Sequence, residues 1–251
     1  MVDLSKITKN GKALFLAYDQ GMEHGTADFD GENIDPSHIL KIGIDGGFTG
    51  IIFQKGVAEK YFNQSYKEKL PLIIKLNGKT NLVKTQEPYS PLLCTVDEAV
   101  KLGASAVGYT IYIGSEYEEQ MLKELAEVIR QAHDKNIPVI GWMYPRGKNV
   151  PDPLDQNIIS YGARVGLEVG CDLVKVNYPG SLEGVKHIVA ASGKTGVVFA
   201  GGKKDDENTF LEMAKTVMES GAVGMAVGRN IWQSDNPMDI TEKLKKIIFK
   251  K

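Results

Sequence analysis

The chain has 251 residues, 42% hydrophobic and 25% charged, with a formal net charge of −2. This length supports a sizeable core in one large domain or two small ones, and the near-neutral charge argues against general affinity for nucleic acid or membrane surfaces. Cys94 and Cys171 form no CxxC and read as small buried hydrophobes, MVDLSKITKNGK has no apolar signal core, and no run approaches the ~18 apolar residues of a membrane span, so a cytoplasmic protein is expected.

Eight short apolar runs follow one another along the chain: ALFLAYD (13–19), FTGIIF (48–53), LPLIIKLNG (70–78), ASAVGYTIYIG (104–114), IPVIGWMYP (137–145), CDLVKVNYP (171–179), GVVFAGG (196–202) and AVGMAVGRN (222–230). Most are rich in Val, Ile or aromatics, and several end in Gly, Pro or Asp, as buried parallel strands do. Helix signals lie between them. Asp35-Pro36 predicts an N-cap with proline at the first helical position, and Asn236-Pro237 predicts the start of a final helix. Thr95-x-x-Glu98 and Ser115-x-x-Glu118 are capping-box patterns. The second precedes a segment with Met121, Leu122, Leu125, Val128 and Ile129 at helical spacing. Gly103, Gly170, Gly193 and Gly221 fall where a left-handed residue ends a helix.

Eight strand–helix alternations over residues 1–251 predict a single (β/α)8 barrel, with an open doubly wound sheet as the competing arrangement. No linker, strict repeat or low-complexity segment divides the chain. The piece GKTNLVKTQEPYSPL (78–92) is long for a plain connection and reads as functional or mobile.

In such a barrel the C-terminal strand ends carry the active site. Those ends offer Asp19, Glu23 and His24 after the first run, and Lys75 and Asn77 on the third. The fourth offers Tyr109 and Tyr112, and the fifth Trp142, Tyr144 and Arg146. Lys175 and Asn177 lie on the sixth. The last two runs end in Gly201-Gly202, followed by Lys203 and Lys204, and in Gly228-Arg229-Asn230. Glycines let backbone N–H groups reach an anion, and a short helix after Asn230 would add its N-terminal partial charge, so these loops predict a phosphate site. Two ordinary turns with solvated lysines are the plainer alternative.

Lys175 stands between Val174 and Val176, and Lys75 has a similar setting. A Schiff base needs a neutral amine, and burial and neighbouring cations both lower a lysine pKa. An ion pair with a carboxylate such as Asp19 accounts for either lysine equally well, so spacing does not choose between them. Tyr144 points to the same side as Trp142; a phenol at the barrel mouth can transfer protons, and a rim aromatic holding a hydrogen bond is the plainer alternative. No HxH, HExxH or Cys/His cluster appears among the four histidines and two cysteines, so no metal site is expected.

The ordered segments AYDQGMEHG, AVGYTIYIGS, WMYPRG, DLVKVNYPG and AVGRNIWQ resemble the archaeal-type class I fructose-bisphosphate aldolases, the DhnA-like group, over nearly the whole chain. The resemblance implies a metal-free (β/α)8 aldolase whose covalent iminium forms on Lys175. Tyr144 would be the proton-transfer residue, Asp19 the strand-1 carboxylate and Lys75 a supporting cation. It further implies a substrate pocket of His24, Trp142, Arg146, Gly201, Gly202, Lys204, Gly228 and Arg229, a phosphorylated sugar as substrate, and a homo-oligomer. After the seventh run the family often has SGGPK where this chain has AGGKK (200–204), so Ala200 lacks a hydroxyl and Lys203 replaces a turn-fixing proline. Related enzymes with the same lysine include a 2-amino-3,7-dideoxy-D-threo-hept-6-ulosonate synthase, which is the alternative within the group. A non-catalytic phosphosugar-binding barrel is the alternative outside it.

Overall fold

Eight parallel strands close on themselves in sequence order: β1 (Ala13–Ala17), β2 (Gly50–Gln54), β3 (Leu72–Lys75), β4 (Ala106–Ile113), β5 (Val139–Pro145), β6 (Leu173–Val176), β7 (Gly196–Ala200) and β8 (Gly224–Val227). The computed structural model describes residues 2–83 and 87–250. Pairing of β8 with β1, from Ala13 opposite Gly224 to Leu16 opposite Val227, seals the ring and excludes the open sheet. The expected (β/α)8 barrel is therefore the fold.

Alternation along each strand separates two apolar layers. Phe15, Ile52, Ile73, Ile140, Trp142, Leu173 and Val198 point into the barrel, where Ile7 of the N-terminal segment joins them. Their neighbours, among them Leu14, Leu16, Phe53, Ile74, Val107 and Val174, lie in the core shared with the surrounding helices. Burying each such side chain contributes about 1.5–3 kcal/mol relative to leaving it in water. This double burial is why the strands read as nearly continuous apolar runs rather than alternating ones.

The helix ends follow the local signals closely. Asp35 accepts from Ser37 N with Pro36 in the first turn of Pro36–Asp45, and Asn236 caps Pro237–Ile248 through Asp239 N. Thr95 and Glu98 form the reciprocal capping box of Val96–Lys101. Gly103, Gly170, Gly193 and Gly221 all have positive φ. The helix Glu118–Asp134 departs from expectation, because Ser115 and Glu118 form no capping box. Ser115 Oγ donates to Pro88 O and accepts from Tyr117 N, while Glu118 reaches back to Gly114 N. The serine ties down the loop after β3, and the helix begins at Glu118. That loop is held further by Asn77, which is fully buried and bonds Ser90 O and both backbone groups of Thr110. Its centre, residues 84–86, lies outside the described residues.

Candidate active site

The C-terminal strand ends surround a cavity of about 840 Å³. Of the catalytic and pocket residues that the resemblance implied, all border it except Lys204; of the other strand-end candidates, Asn77, Tyr109, Tyr112 and Asn230 do not. Lys204 donates to Gln233 O, and Lys203 borders the cavity instead. Just before them, Gly202, at φ +73°, turns the chain in a conformation unfavourable to other residues.

The two strand lysines have different surroundings. Both are nearly fully buried. Lys75 Nζ lies 3.5 Å from Asp19 Oδ2 and 3.8 Å from Glu23 Oε2. Lys175 Nζ instead sits over the Trp142 ring, 5.0 Å from its centroid, and among the described residues no carboxylate lies within 4.0 Å of it. Burial lowers the Lys175 pKa to about 8; Asp19 and Glu23 oppose the shift and Lys75 adds to it. Burial alone would raise the pKa of Asp19, but Lys175 and Lys75 outweigh it and hold the carboxyl below its ordinary value. Tyr144 is pushed well above the usual phenol range by burial, then by Asp19 and Glu23, so its hydroxyl keeps its proton.

Trp142 reaches its place because residue 108, opposite Lys75 on the neighbouring strand, is glycine. A Cβ there would lie 1.7 Å from the indole Cζ3. The ring therefore crosses β4 in space that any side chain would fill.

Glu23, offered by the first strand end but not selected for the pocket, is a hub of this wall. Tyr112 Oη donates to its Oε1 at 2.8 Å, Arg146 pairs with the same oxygen, and Lys75 stands beside the other. Arg146 also lies over the Tyr112 ring, 5.0 Å from its centroid. Tyr109 points the other way, donating to Glu124 Oε2 on the helix Glu118–Asp134, so it belongs to the outer core.

The opposite wall is largely glycine-rich backbone, with Lys203, Asp205 and Arg229 also lining it. Asn230, 3% exposed, donates to Gly201 O and Lys203 O and accepts from Asp205 N. One amide side chain thus ties the loop after β7 to the loop after β8. The Gly201 N–H bonds Ala226 O, so it is not free to meet an anion, contrary to the expectation that both glycine amides face one. Gly202 and the start of the short helix Arg229–Trp232 remain on this wall. Arg229 donates to Gly202 O and lies 3.5 Å from Asp28, which also holds His24 Nδ1 at 3.0 Å. Trp232 donates to Ala17 O and stacks on Phe29, fixing the loop after β1 against the same helix.

Among the described residues no group of three or more His, Cys, Asp or Glu is arranged to hold a metal, and no helix is long and apolar enough to cross a membrane. Cys94 and Cys171 are buried and unpaired, and burial pushes their thiols up to about 11 and about 12.

Known proteins resemble this chain in sequence and fold. The profile of the DeoC/LacD family aldolases matches residues 13–234. A class I fructose-bisphosphate aldolase of Thermoproteus tenax is 44% identical over 96% of this chain and 91% of its own length. A Methanocaldococcus jannaschii protein named fructose-bisphosphate aldolase/6-deoxy-5-ketofructose 1-phosphate synthase is 41% identical over 99% of this chain and 83% of its own. A solved archaeal fructose-1,6-bisphosphate aldolase, its catalytic lysine covalently bound to the carbinolamine intermediate, superposes with a TM-score of 0.93 at 43% identity, covering 98% of this chain and 97% of that one. The chain belongs to the DeoC/LacD aldolase family, alongside the archaeal class I fructose-bisphosphate aldolases.

Proposed function

We propose that the protein is a class I fructose-1,6-bisphosphate aldolase that works through a Schiff base on Lys175. The observation that carries this reading is the division between the two buried lysines: Lys75 is engaged by carboxylates, whereas Lys175 is left over Trp142 with its pKa lowered to about 8. A structural lysine needs a counter-charge, but a nucleophilic one needs a neutral fraction near working pH.

The neutral Lys175 amine attacks C2 of the open-chain ketose to give a carbinolamine, and loss of water gives the iminium. A base removes the C4 hydroxyl proton, the C3–C4 bond breaks, and its electron pair enters the iminium to form an enamine while glyceraldehyde 3-phosphate leaves. Tyr144, kept protonated by its surroundings, donates a proton to C3 of the enamine. Water then adds at C2, dihydroxyacetone phosphate departs and the amine is restored. Asp19 orients the hydroxyls and assists proton movement in carbinolamine turnover. The loops after β7 and β8 hold one phosphate through Gly202, Gly228 and Arg229. Lys75 and Arg146 face the second, joined by Lys79, whose ammonium pKa is lowered by burial, with Glu23 opposing the shift and Arg146 adding to it. We further place the enzyme as a cytoplasmic homo-oligomer in sugar-phosphate metabolism, in glycolysis or gluconeogenesis, with size-exclusion chromatography coupled to light scattering as the test of assembly.

Enzymatic detection of both triose phosphates after adding fructose 1,6-bisphosphate, with and without a chelator, tests the activity. The reading requires cleavage that survives chelation; no cleavage, or cleavage abolished by the chelator, overturns it.

A further inference from the structure

The wall between β1, β3, β4 and β5 contains a carboxylate that the reaction scheme above does not use. Glu23 is 12% exposed at its side chain and is anchored from three strands: by Lys75 of β3, Tyr112 of β4 and Arg146 at the end of β5. A carboxylate this far from water is tolerated only with partners: here Oε1 takes Tyr112 and Arg146, while Oε2 has only the Lys75 ammonium, 3.8 Å away. The consequence falls on Lys75. A relaxed ammonium–carboxylate pair closes to about 2.7–2.9 Å. Lys75 does so with neither partner, standing 3.5 Å from Asp19 and 3.8 Å from Glu23. It is suspended between the two.

We propose that Glu23 is a positioning residue that shares Lys75 with Asp19 and so keeps the Asp19 carboxylate available to the groups reacting at Lys175. Without the Glu23 charge, Lys75 collapses onto Asp19 and Arg146 loses its anchor. The charges that act on Lys175 come from Asp19 and Glu23 after β1 and from Lys75 on β3; Arg146 after β5, Lys203 and Asp205 after β7, and Arg229 after β8 line the same cavity, and Tyr144 on β5 keeps its proton. Neutralising Glu23 removes a negative neighbour from this set, and the ammonium form of Lys175 becomes harder to keep.

This inference rests on the Schiff-base reading, and wild-type trapping keeps the two apart. Glu23→Gln preserves the shape and an acceptor for Tyr112 while removing the charge. Its kcat should fall about tenfold, and the acid limb of kcat/KM, together with the pH profile of borohydride trapping by dihydroxyacetone phosphate, should move down by about half a pH unit or more. Glu23→Asp keeps the charge, so its limb should stay within a tenth or two of wild type even where kcat drops, which provides a test should the glutamine variant fold poorly. An unmoved limb in Glu23→Gln, with or without lost kcat, overturns the proposal, as does a shift of equal size in Glu23→Asp. No trapped adduct in the wild type would instead overturn the aldolase reading itself.

Discussion

The side of the barrel mouth formed by the loop after β1 and by β3–β6 is lined by charged side chains from distant strands, whereas the β7–β8 side is mostly backbone. On the first side Asp19, Glu23, Lys75 and Lys175 lie close together and largely buried, with Arg146 at the rim, and the protonation of Asp19, Glu23 and Lys175 depends on the charges around them. On the second side Gly201, Gly202 and Gly228 keep the chain thin, and Asn230 alone binds three backbone groups to hold it. A reacting carbon needs acids and bases whose pKa values can be tuned, which burial and neighbouring charge provide. A phosphate needs a fixed concave surface of N–H groups, which backbone provides without titrating. The contrast predicts that substitutions on the charged side change kcat and its pH dependence, while those on the backbone side change KM.

The largest expected effect is at Lys175. Lys175→Met should lower kcat on the order of 10⁴-fold or more, as loss of a covalent nucleophile does elsewhere, while leaving phosphate affinity near wild type by calorimetry. Tyr144→Phe should reduce turnover by roughly 10²- to 10⁴-fold and allow the adduct to accumulate, visible in the mass of the borohydride-reduced protein. Gly108→Ala separates packing from charge. The added methyl meets the indole at 1.7 Å, so the ring must shift, with about 1–3 kcal/mol lost in denaturant unfolding and kcat reduced because Lys175 loses its apolar cover. On the backbone wall, Asn230→Ala strands Gly201 O, Lys203 O and Asp205 N at about 1–3 kcal/mol, and KM should rise about tenfold with kcat changing less. If Asn230→Ala mainly lowered kcat instead, the division between the two sides would be wrong. The mildest test is pH itself. Below about 8 the Lys175 amine holds its proton, so wild-type kcat/KM should climb as pH rises toward that value. A profile flat from pH 6 to 9 would contradict the assignment.

Much of this was legible in the sequence where the determinants are local. Strand identity came from apolar runs buried on both faces, and most helix starts came from caps reaching two or three residues ahead. Ser115 misled because its hydroxyl bonds Pro88, 27 residues away, which no local pattern announces. The same holds for Glu23. It was visible at a strand end, but Tyr112 and Arg146 lie 89 and 123 residues further on, and only barrel closure brings them to it. Lys75 and Lys175 had nearly identical flanks, and what separates them is that Asp19 and Glu23 come within 4.0 Å of Lys75 while Lys175 sits over Trp142. Lys203 rather than Lys204 borders the cavity after a left-handed turn at Gly202, and the loss of the Gly201 amide depends on where β7 stops pairing with β8. Tyr109, by contrast, was readable in principle: it is three residues from Tyr112, so in an alternating strand the two face opposite ways.

The most direct test of the central claim is borohydride reduction in the presence of dihydroxyacetone phosphate, followed by peptide mass mapping. The account predicts a single stable adduct on the peptide containing Lys175. An adduct on Lys75, or none despite demonstrated phosphate binding, would contradict it.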